Sequence, residues 1–149
     1  DCPECVDELC LTENLKDVLP RADVVMSVLP GTKATQHIYS EEYFDSMKDS
    51  ALFINCGRGN AVATDVLYKV LKEKKITAAA VDVTEIEPLP ADSKLWGLEN
   101  LIITPHVCGG YHLPTTLSKI ADIAAANLKA YLANEQLRNV VDFATGYKK

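Results

Sequence analysis

Short apolar runs alternate with amphipathic segments along most of the chain. Each run is rich in β-branched or small apolar residues and is bounded by turn-forming or polar residues, which predicts a buried strand. The amphipathic segments carry apolar residues at helical spacing, which predicts helices packed on those strands. The predicted strands are 22–30, 51–55, 76–83 and 100–105, and the predicted helices are 40–48, 64–75 and 114–132.

The two shorter helices carry the expected signals at their ends. Ser40 and Thr64 stand where an N-cap is needed, and the last turn of the second helix is rich in lysine, which suits the negative end of a helix dipole. The connection 85–99 contains prolines where a further helix would be expected. A long irregular connection inside a compact domain is often functional, so this segment is a candidate for carrying chemistry.

Alternation of strands and helices predicts an α/β fold. Near-continuous apolar strands are typical of a parallel sheet with helices on both faces, and this is the architecture that we expect. We predict that residues 1–113 contain the sheet and that residues 114–149 form a long helix and a short tail.

Composition excludes two classes of protein. The chain has 149 residues, is 48% hydrophobic and carries a net charge of −6, so it is about one domain long and acidic. It has no basic run, which argues against nucleic-acid binding. No apolar run approaches the roughly 20 residues that span a bilayer, so we expect no membrane insertion.

The cysteines indicate reduced thiols rather than disulfides. There are five, an odd number, and three of them lie within the first ten residues. Reduced thiols predict a cytoplasmic location. Cys2 and Cys5 could begin a zinc site, but no second pair follows at zinc-ribbon spacing, and Cys108 and His112 add too few ligands. We therefore predict no metal.

Charged and turn-forming residues collect just after the predicted strands. Arg58 stands between Gly57 and Gly59 after the second strand, Glu87 follows the third, and His106 follows the fourth. Ligands of open α/β sheets bind beyond the carboxyl ends of the strands, so these residues are candidates for one site. Taken alone, an arginine in a glycine turn or a glutamate before a proline is more often a solvated surface residue, and a histidine after a proline more often caps a strand end. We expect Gly57 to allow close approach of a cofactor and Gly59 to let the turn aim the guanidinium.

These three side chains suit the reversible reduction of a 2-keto acid. An arginine can hold a carboxylate through two hydrogen bonds and polarise a neighbouring carbonyl. A histidine can transfer a proton near neutral pH, and a carboxylate bonded to its other nitrogen favours the imidazolium. In this reading the substrate carboxylate binds Arg58, His106 faces the carbonyl oxygen, and Glu87 supports His106. The hydride has to come from a cofactor, because no side chain supplies one.

Three stretches of the sequence resemble the D-isomer-specific 2-hydroxyacid dehydrogenases. They are "ADVVMSVLPGTKAT", "INCGRGNAV" and "AAAVDVTEIEPLPADSKLWGLENLIITPHVCGG", and the resemblance extends from about residue 12 to 132. It implies a protein of two Rossmann-like domains with the active site in the cleft between them. Residues 1–113 would then be the later part of the nucleotide-binding domain, and 114–149 the helix and tail that return toward the substrate domain.

The resemblance also implies roles for individual residues. Arg58 matches the substrate-binding arginine, Glu87 the glutamate that pairs with the catalytic histidine, and His106 the acid/base. The residues that match cofactor contacts are Leu29, Pro30, Thr35, Cys56, Gly57, Arg58, Asp82, His106 and Gly109. The implied cofactor is NAD, with NADP left open. The implied partners are a small 2-keto or 2-hydroxy acid and a second copy of the chain in a homodimer.

The sequence departs from the family pattern at several positions. Ala63 stands where the family usually has Asp, Thr84 where it usually has Phe or Trp, and Cys108 where it has a small apolar residue. Related formate dehydrogenases carry Gln in place of Glu87, which argues against formate as the substrate.

The family's glycine-rich loop, G-x-G-x-x-G, occurs nowhere in the chain. We therefore expect a fragment of a longer protein, inactive by itself and weak in NAD binding. One alternative function stays open. Some relatives that keep the same Arg, Glu and His are NAD-gated corepressors rather than metabolic enzymes.

Overall fold

The computed structural model describes residues 4–110, 113–144 and 146–148. It separates the chain into two compact units, Asp1–Pro105 and His106–Lys149, and each is described here by itself. The predicted division after residue 113 stays a prediction. No helix within the described ranges is long and apolar enough to cross a membrane.

The first unit contains a four-stranded parallel sheet in the order β1-β2-β3-β4. The strands are β1 (Val24–Ser27), β2 (Leu52–Asn55), β3 (Ala78–Val81) and β4 (Leu101–Ile103). Its helices are α1 (Leu15–Val18), α2 (Glu41–Asp45) and α3 (Thr64–Lys72), with 3-10 turns at Thr12–Asn14, Leu19–Arg21, Gly59–Ala61 and Lys94–Gly97.

The predicted α/β class is confirmed, and all four predicted strands are present, each shorter than its apolar run. Ser40 is the N-cap residue of α2, as predicted. Thr64 was expected to cap α3 but is its first helical residue, and the N-cap is Ala63. The helical turns between Thr12 and Arg21 were not predicted, because they carry no sustained apolar period.

The core lies on one face of this sheet. Val25, Phe53, Ala79 and Leu101 are neighbours in register across the four strands, and the first three are buried. The core also takes in side chains that pack on this face from the helices and from the segments beside them, among them Leu19, Phe44, Met47, Leu67, Val70 and Leu71. On the opposite face the apolar side chains Val24, Met26, Leu52 and Ile102 are exposed. The helices of the first unit therefore cover one face of the sheet.

Three aromatic rings fill the centre of this core. Phe53 stacks edge-on against Tyr39 and Phe44, with ring centroids 5.0 and 5.1 Å apart. Phe44 and Phe53 are fully buried. Phe53 links β2 to α2 and to the segment after β1, so the position of β2 depends on this cluster.

The second unit contains α4 (Pro114–Leu132), whose bounds equal the predicted ones. None of the described side chains of α4 is buried. The Asn127 side chain bonds the backbone of Arg138 twice, at 3.0 and 2.8 Å, and so ties the tail to the helix. An isolated bridge between Val141 and Lys148 closes the tail on itself.

Replacing Phe53 tests the importance of the aromatic cluster. We expect Phe53→Ala to lower the free energy of unfolding by about 3–5 kcal/mol, because it opens a cavity among fully buried rings. Urea unfolding of the 149-residue chain measures this loss. Phe143→Ala makes the same chemical change at a fully exposed position and should alter stability by less than about 0.5 kcal/mol. Equal effects of the two substitutions would contradict this account of the core.

Candidate functional site

The carboxyl ends of β1, β2 and β3 meet at one edge of the sheet, because the strands are parallel. The segments that follow them carry most of the predicted site residues. Leu29, Pro30 and Thr35 follow β1, Cys56, Gly57 and Arg58 follow β2, and Asp82 and Glu87 follow β3. His106 and Gly109 belong to the second unit.

The turn that presents Arg58 is held from inside by Asn55. This residue ends β2 and is 1% exposed. Its Oδ1 accepts a hydrogen bond from the Gly57 N–H, and its Nδ2 donates to the Arg58 carbonyl, both at 3.1 Å. A buried amide is costly unless its polar atoms are bonded, and here both ends bond the turn. Sequence reasoning treated Asn55 only as the end of a strand.

The Arg58 side chain itself is exposed, and its backbone is extended, with φ −134° and ψ 142°. Its Nη1 donates to the Gly57 carbonyl at 2.8 Å. This bond keeps the guanidinium over its own turn. The cation is therefore placed at the sheet edge, where an anionic ligand can reach it.

Gly57 brings this turn against the segment after β1. A Cβ at Gly57 would lie 2.6 Å from the Leu29 nitrogen and 2.7 Å from its oxygen, which is closer than real side chains approach. The Cys56 N–H at the start of the turn also donates a hydrogen bond to the Ser27 carbonyl at 3.0 Å. The structure thus gives Gly57 a reason that sequence reasoning did not supply, since it makes room for backbone rather than for a cofactor alone.

Gly59 brings the same turn against the segment after β3. A Cβ at Gly59 would overlap the carbonyl group of Thr84 and lie 2.7 Å from the Glu85 nitrogen. Within that segment the Glu87 Oε1 accepts a hydrogen bond from the Thr84 N–H at 3.2 Å. The structure therefore brings the turn of Arg58 into contact with the loop of Glu87.

The loop after β1 is closed by Thr35. The Thr35 hydroxyl donates to the Pro30 carbonyl at 2.5 Å and accepts from the Thr32 N–H at 2.9 Å. Leu29, Pro30 and Thr35, three of the predicted cofactor contacts, therefore lie in one compact loop. Gly31 in this loop lies against the Arg58 side chain, since a Cβ there would be 3.2 Å from the Arg58 Cγ.

Asp82 is a buried carboxylate at the end of β3, 4% exposed. It accepts a hydrogen bond from the Thr104 hydroxyl, and its N–H donates to the Asn55 carbonyl at 2.9 Å. Asp82 therefore connects the ends of β2, β3 and β4.

Sequence reasoning missed a contact made by Glu85 and His37. The Glu85 Oε2 accepts the Thr64 N–H at 2.7 Å, and its Oε1 lies 2.8 Å from the His37 Nε2. Burial alone would raise the pKa of Glu85, but the hydrogen bonds from Thr64 and His37 outweigh it and lower that pKa. The sequence carried no signal for this contact, because Thr64 was expected to be the N-cap, and only the structure shows that the N-cap is Ala63, which has no side-chain oxygen.

His106 begins the second unit in the left-handed backbone region, with φ 55°, and both His106 and Gly109 are exposed. Among the described residues no three His, Cys, Asp or Glu side chains are grouped so that they could hold a metal ion. Cys2 and His112 lie outside those residues. Of the described cysteines, Cys5 and Cys10 are exposed free thiols.

The Gly59 contact can be tested by substitution. We expect Gly59→Ala to lower the free energy of unfolding by about 1–3 kcal/mol, because the new Cβ would force the Thr84 segment away. Thermal or urea unfolding measures this loss. Gly97→Ala is the control, since a Cβ at Gly97 would meet nothing within 4 Å. If Gly59→Ala were as stable as Gly97→Ala, the close packing of the two segments would be disproved.

Comparison with known proteins shows which family the chain resembles in sequence and structure. Residues 3–108 match the family model described as D-isomer specific 2-hydroxyacid dehydrogenase, NAD binding domain. Glyoxylate/hydroxypyruvate reductase B of Escherichia fergusonii is 40% identical over 129 residues, which are 87% of this chain and 39% of that protein. The chain spans less than half the length of the curated relatives that it matches.

Solved structures agree with the sequence comparison. A probable 2-hydroxyacid dehydrogenase from Rhizobium etli, solved with NADP, HEPES and L(+)-tartaric acid, superposes with a TM-score of 0.82 and 29% identity. The match covers 99% of this chain and 46% of that one. The NADPH-dependent glyoxylate/hydroxypyruvate reductase of Sinorhizobium meliloti, solved with NADP and sulfate, has a TM-score of 0.79 and 26% identity. It is matched over 91% of this chain and 43% of its own.

The Rossmann-like sheet, the glycine-bounded arginine turn and the matched family model lead to one conclusion. This chain belongs to the D-isomer-specific 2-hydroxyacid dehydrogenases and corresponds to part of their NAD-binding domain.

Proposed function

We propose that this chain supplies the nicotinamide and substrate side of an NAD(P)-dependent dehydrogenase that interconverts a small 2-keto acid and a D-2-hydroxy acid. The observation that carries the proposal is the placement of Arg58. Its turn is held by Asn55 and packed between the segments of Leu29 and Thr84, so a fixed backbone presents a cation at the sheet edge.

The residues at this edge fit part of a dinucleotide cofactor. The chain offers a rigid turn at Cys56 and Gly57, a compact loop closed by Thr35, and the buried carboxylate of Asp82. These groups suit the nicotinamide side and the adenosine side that we assign to them. The glycine-rich pyrophosphate loop does not occur in this sequence. When bound, the cofactor supplies the hydride, which no side chain can provide.

Arg58 would bind the substrate carboxylate. A guanidinium donates two parallel hydrogen bonds to a carboxylate, which fixes the orientation of the keto group as well as binding it. In addition, the positive charge close to the keto group stabilises the negative charge that develops on its oxygen. The Arg58 Nη1 donates to the Gly57 carbonyl at 2.8 Å, and the remaining N–H groups of the guanidinium are left to bond the substrate.

His106 would act as the general acid and base, oriented by Glu87. In the reductive direction the imidazolium gives its proton to the developing alkoxide, and in the oxidative direction the imidazole takes it back. A carboxylate that accepts the other ring N–H fixes the tautomer and favours the imidazolium. The family resemblance supports this pairing, and replacement of Glu87 tests it.

The relatives support a small substrate. Those with the printed names glyoxylate reductase and glyoxylate/hydroxypyruvate reductase align over more than four fifths of this chain. We therefore propose glyoxylate and hydroxypyruvate as the first candidates. A homodimer and a cytoplasmic location stay predictions.

The test uses the protein in its natural full length. Oxidation of NADH and NADPH is followed with glyoxylate, hydroxypyruvate and pyruvate for the wild type, Arg58→Ala and His106→Gln. We expect Arg58→Ala to raise KM for the keto acid and to lower kcat as well, and His106→Gln to lower kcat by about 10²- to 10⁴-fold. The control is Arg138→Ala, which removes an exposed arginine from the tail and should leave both constants unchanged.

Two outcomes would contradict the proposal. Undiminished turnover in Arg58→Ala and His106→Gln would show that neither residue takes part in the reaction. Binding of NADH or NADPH without reduction of any keto acid would favour the corepressor-like alternative. Glu87→Gln adds a separate check, since loss of the carboxylate that orients the His106 ring should lower kcat/KM.

A further inference from the structure

Three segments of the site are joined by a single carboxylate. Glu85 accepts the first N–H of α3 at 2.7 Å through Oε2 and contacts the His37 ring at 2.8 Å through Oε1. The segment of His37 is also bonded to the residues after Arg58, because the His37 N–H donates to the Asn60 carbonyl at 2.7 Å. The Tyr39 N–H does the same to the Ala61 carbonyl at 3.1 Å.

Each joined segment carries a residue of the proposed site. His37 comes two residues after Thr35, Thr64 six residues after Arg58, and Glu85 two residues before Glu87. The contact of Gly59 with Thr84 brings the second and third segments together directly. Glu85 lies in the loop after β3, and its side chain contacts both the segment after β1 and the segment after β2.

We propose that Glu85 is a positioning residue, which holds the turn of Arg58 and the loop of Glu87 in the arrangement that keto-acid reduction needs. This inference rests on the proposed function. Glu85 has no part in the chemistry itself and acts through Arg58 and Glu87.

A carboxylate suits this position for two physical reasons. It has two acceptor oxygens, so it can bond two donors from different segments at once. Its negative charge also lies at the amino end of α3, where the helix dipole favours an anion. Glu85 is ionised at neutral pH, and its lowered pKa extends the ionised form, and with it both interactions, to more acidic pH.

The competing explanation is that Glu85 only caps α3. Ala63 offers a way to separate the two, because its φ of −66° and ψ of 137° are those of an N-cap residue. Ala63→Asp would supply a local cap for α3 but no bond to His37 or to the loop of Glu87. The double variant Glu85→Ala/Ala63→Asp therefore restores the helix without restoring the connection.

The experiment compares four forms of the protein in its natural full length. They are the wild type, Glu85→Ala, the double variant and Glu99→Ala, a matched control that removes an exposed glutamate of the first unit. We expect Glu85→Ala to lower both the melting temperature and kcat/KM for glyoxylate or hydroxypyruvate, the latter by about tenfold or more. The double variant should recover the melting temperature but not kcat/KM.

Recovery of both quantities in the double variant would reduce Glu85 to a helix cap and overturn the inference. Wild-type kcat/KM in Glu85→Ala would overturn it as well. If the double variant recovers neither the melting temperature nor kcat/KM, amide hydrogen exchange decides between the two explanations, because it reports on the segments directly.

Amide hydrogen exchange also separates this inference from the proposed function, because it requires no turnover. In the double variant we expect the amides of His37, Ala61 and Thr84 to exchange about tenfold faster or more, while those of Val66 to Leu71 in α3 keep wild-type rates. Unchanged exchange at His37, Ala61 and Thr84 would overturn the inference whatever the activity. A wild type that reduces no keto acid would instead disprove the proposed function, with the exchange result still deciding the role of Glu85.

Discussion

The position of Arg58 depends on two places where backbone packs against backbone. At Gly57 the turn meets Leu29, and at Gly59 it meets Thr84, and neither contact leaves room for a Cβ. The turn is therefore confined between the segments that follow β1 and β3, and it cannot shift without moving both of them. Because these segments follow the two strands that flank β2 in the parallel sheet, the sheet itself sets where the turn of Arg58 lies. A glycine on each side of the arginine is a packing requirement before it is a matter of turn flexibility.

Polar side chains complete what the close packing begins. Asn55 supports the turn from within the first unit, and Glu85 connects it to α3 and to His37. Asn55 is buried, where its amide would be costly without partners, whereas Glu85 is exposed. Both side chains bond backbone groups that the strands and the helix leave over. Arg58 and Glu87 therefore lie at the edge of the sheet, on segments that Asn55 and Glu85 support.

The two units differ in how they use their apolar residues. The first unit buries an aromatic cluster on one face of its sheet, while Val24, Met26 and Ile102 on the other face are exposed. In the second unit, α4 exposes Leu117, Leu128 and other apolar side chains of its amphipathic pattern. Apolar runs of this kind are typical of sheets that are covered on both faces. Within the described residues, the helices of the first unit cover only one.

Sequence alone determined the order and type of the main elements. The strands and α4 could be predicted because apolar runs and helical spacing report local geometry directly. The placement of Arg58 and Glu87 near one sheet edge followed as well, since parallel strands direct their carboxyl ends the same way. The quoted motifs were sufficient to identify the family, which the comparisons confirmed.

Tertiary structure alone decided which residues support the site. The N-cap residue of α3 is Ala63 rather than the predicted Thr64. Glu85, 21 residues after Thr64 in the chain, supplies the acceptor that the Ala63 side chain lacks. The overlap that excludes a side chain at Gly59 likewise involves Thr84, a residue distant in sequence. Such contacts leave no periodic trace, because they depend on how separate strands bring their loops together rather than on the local preference of any segment.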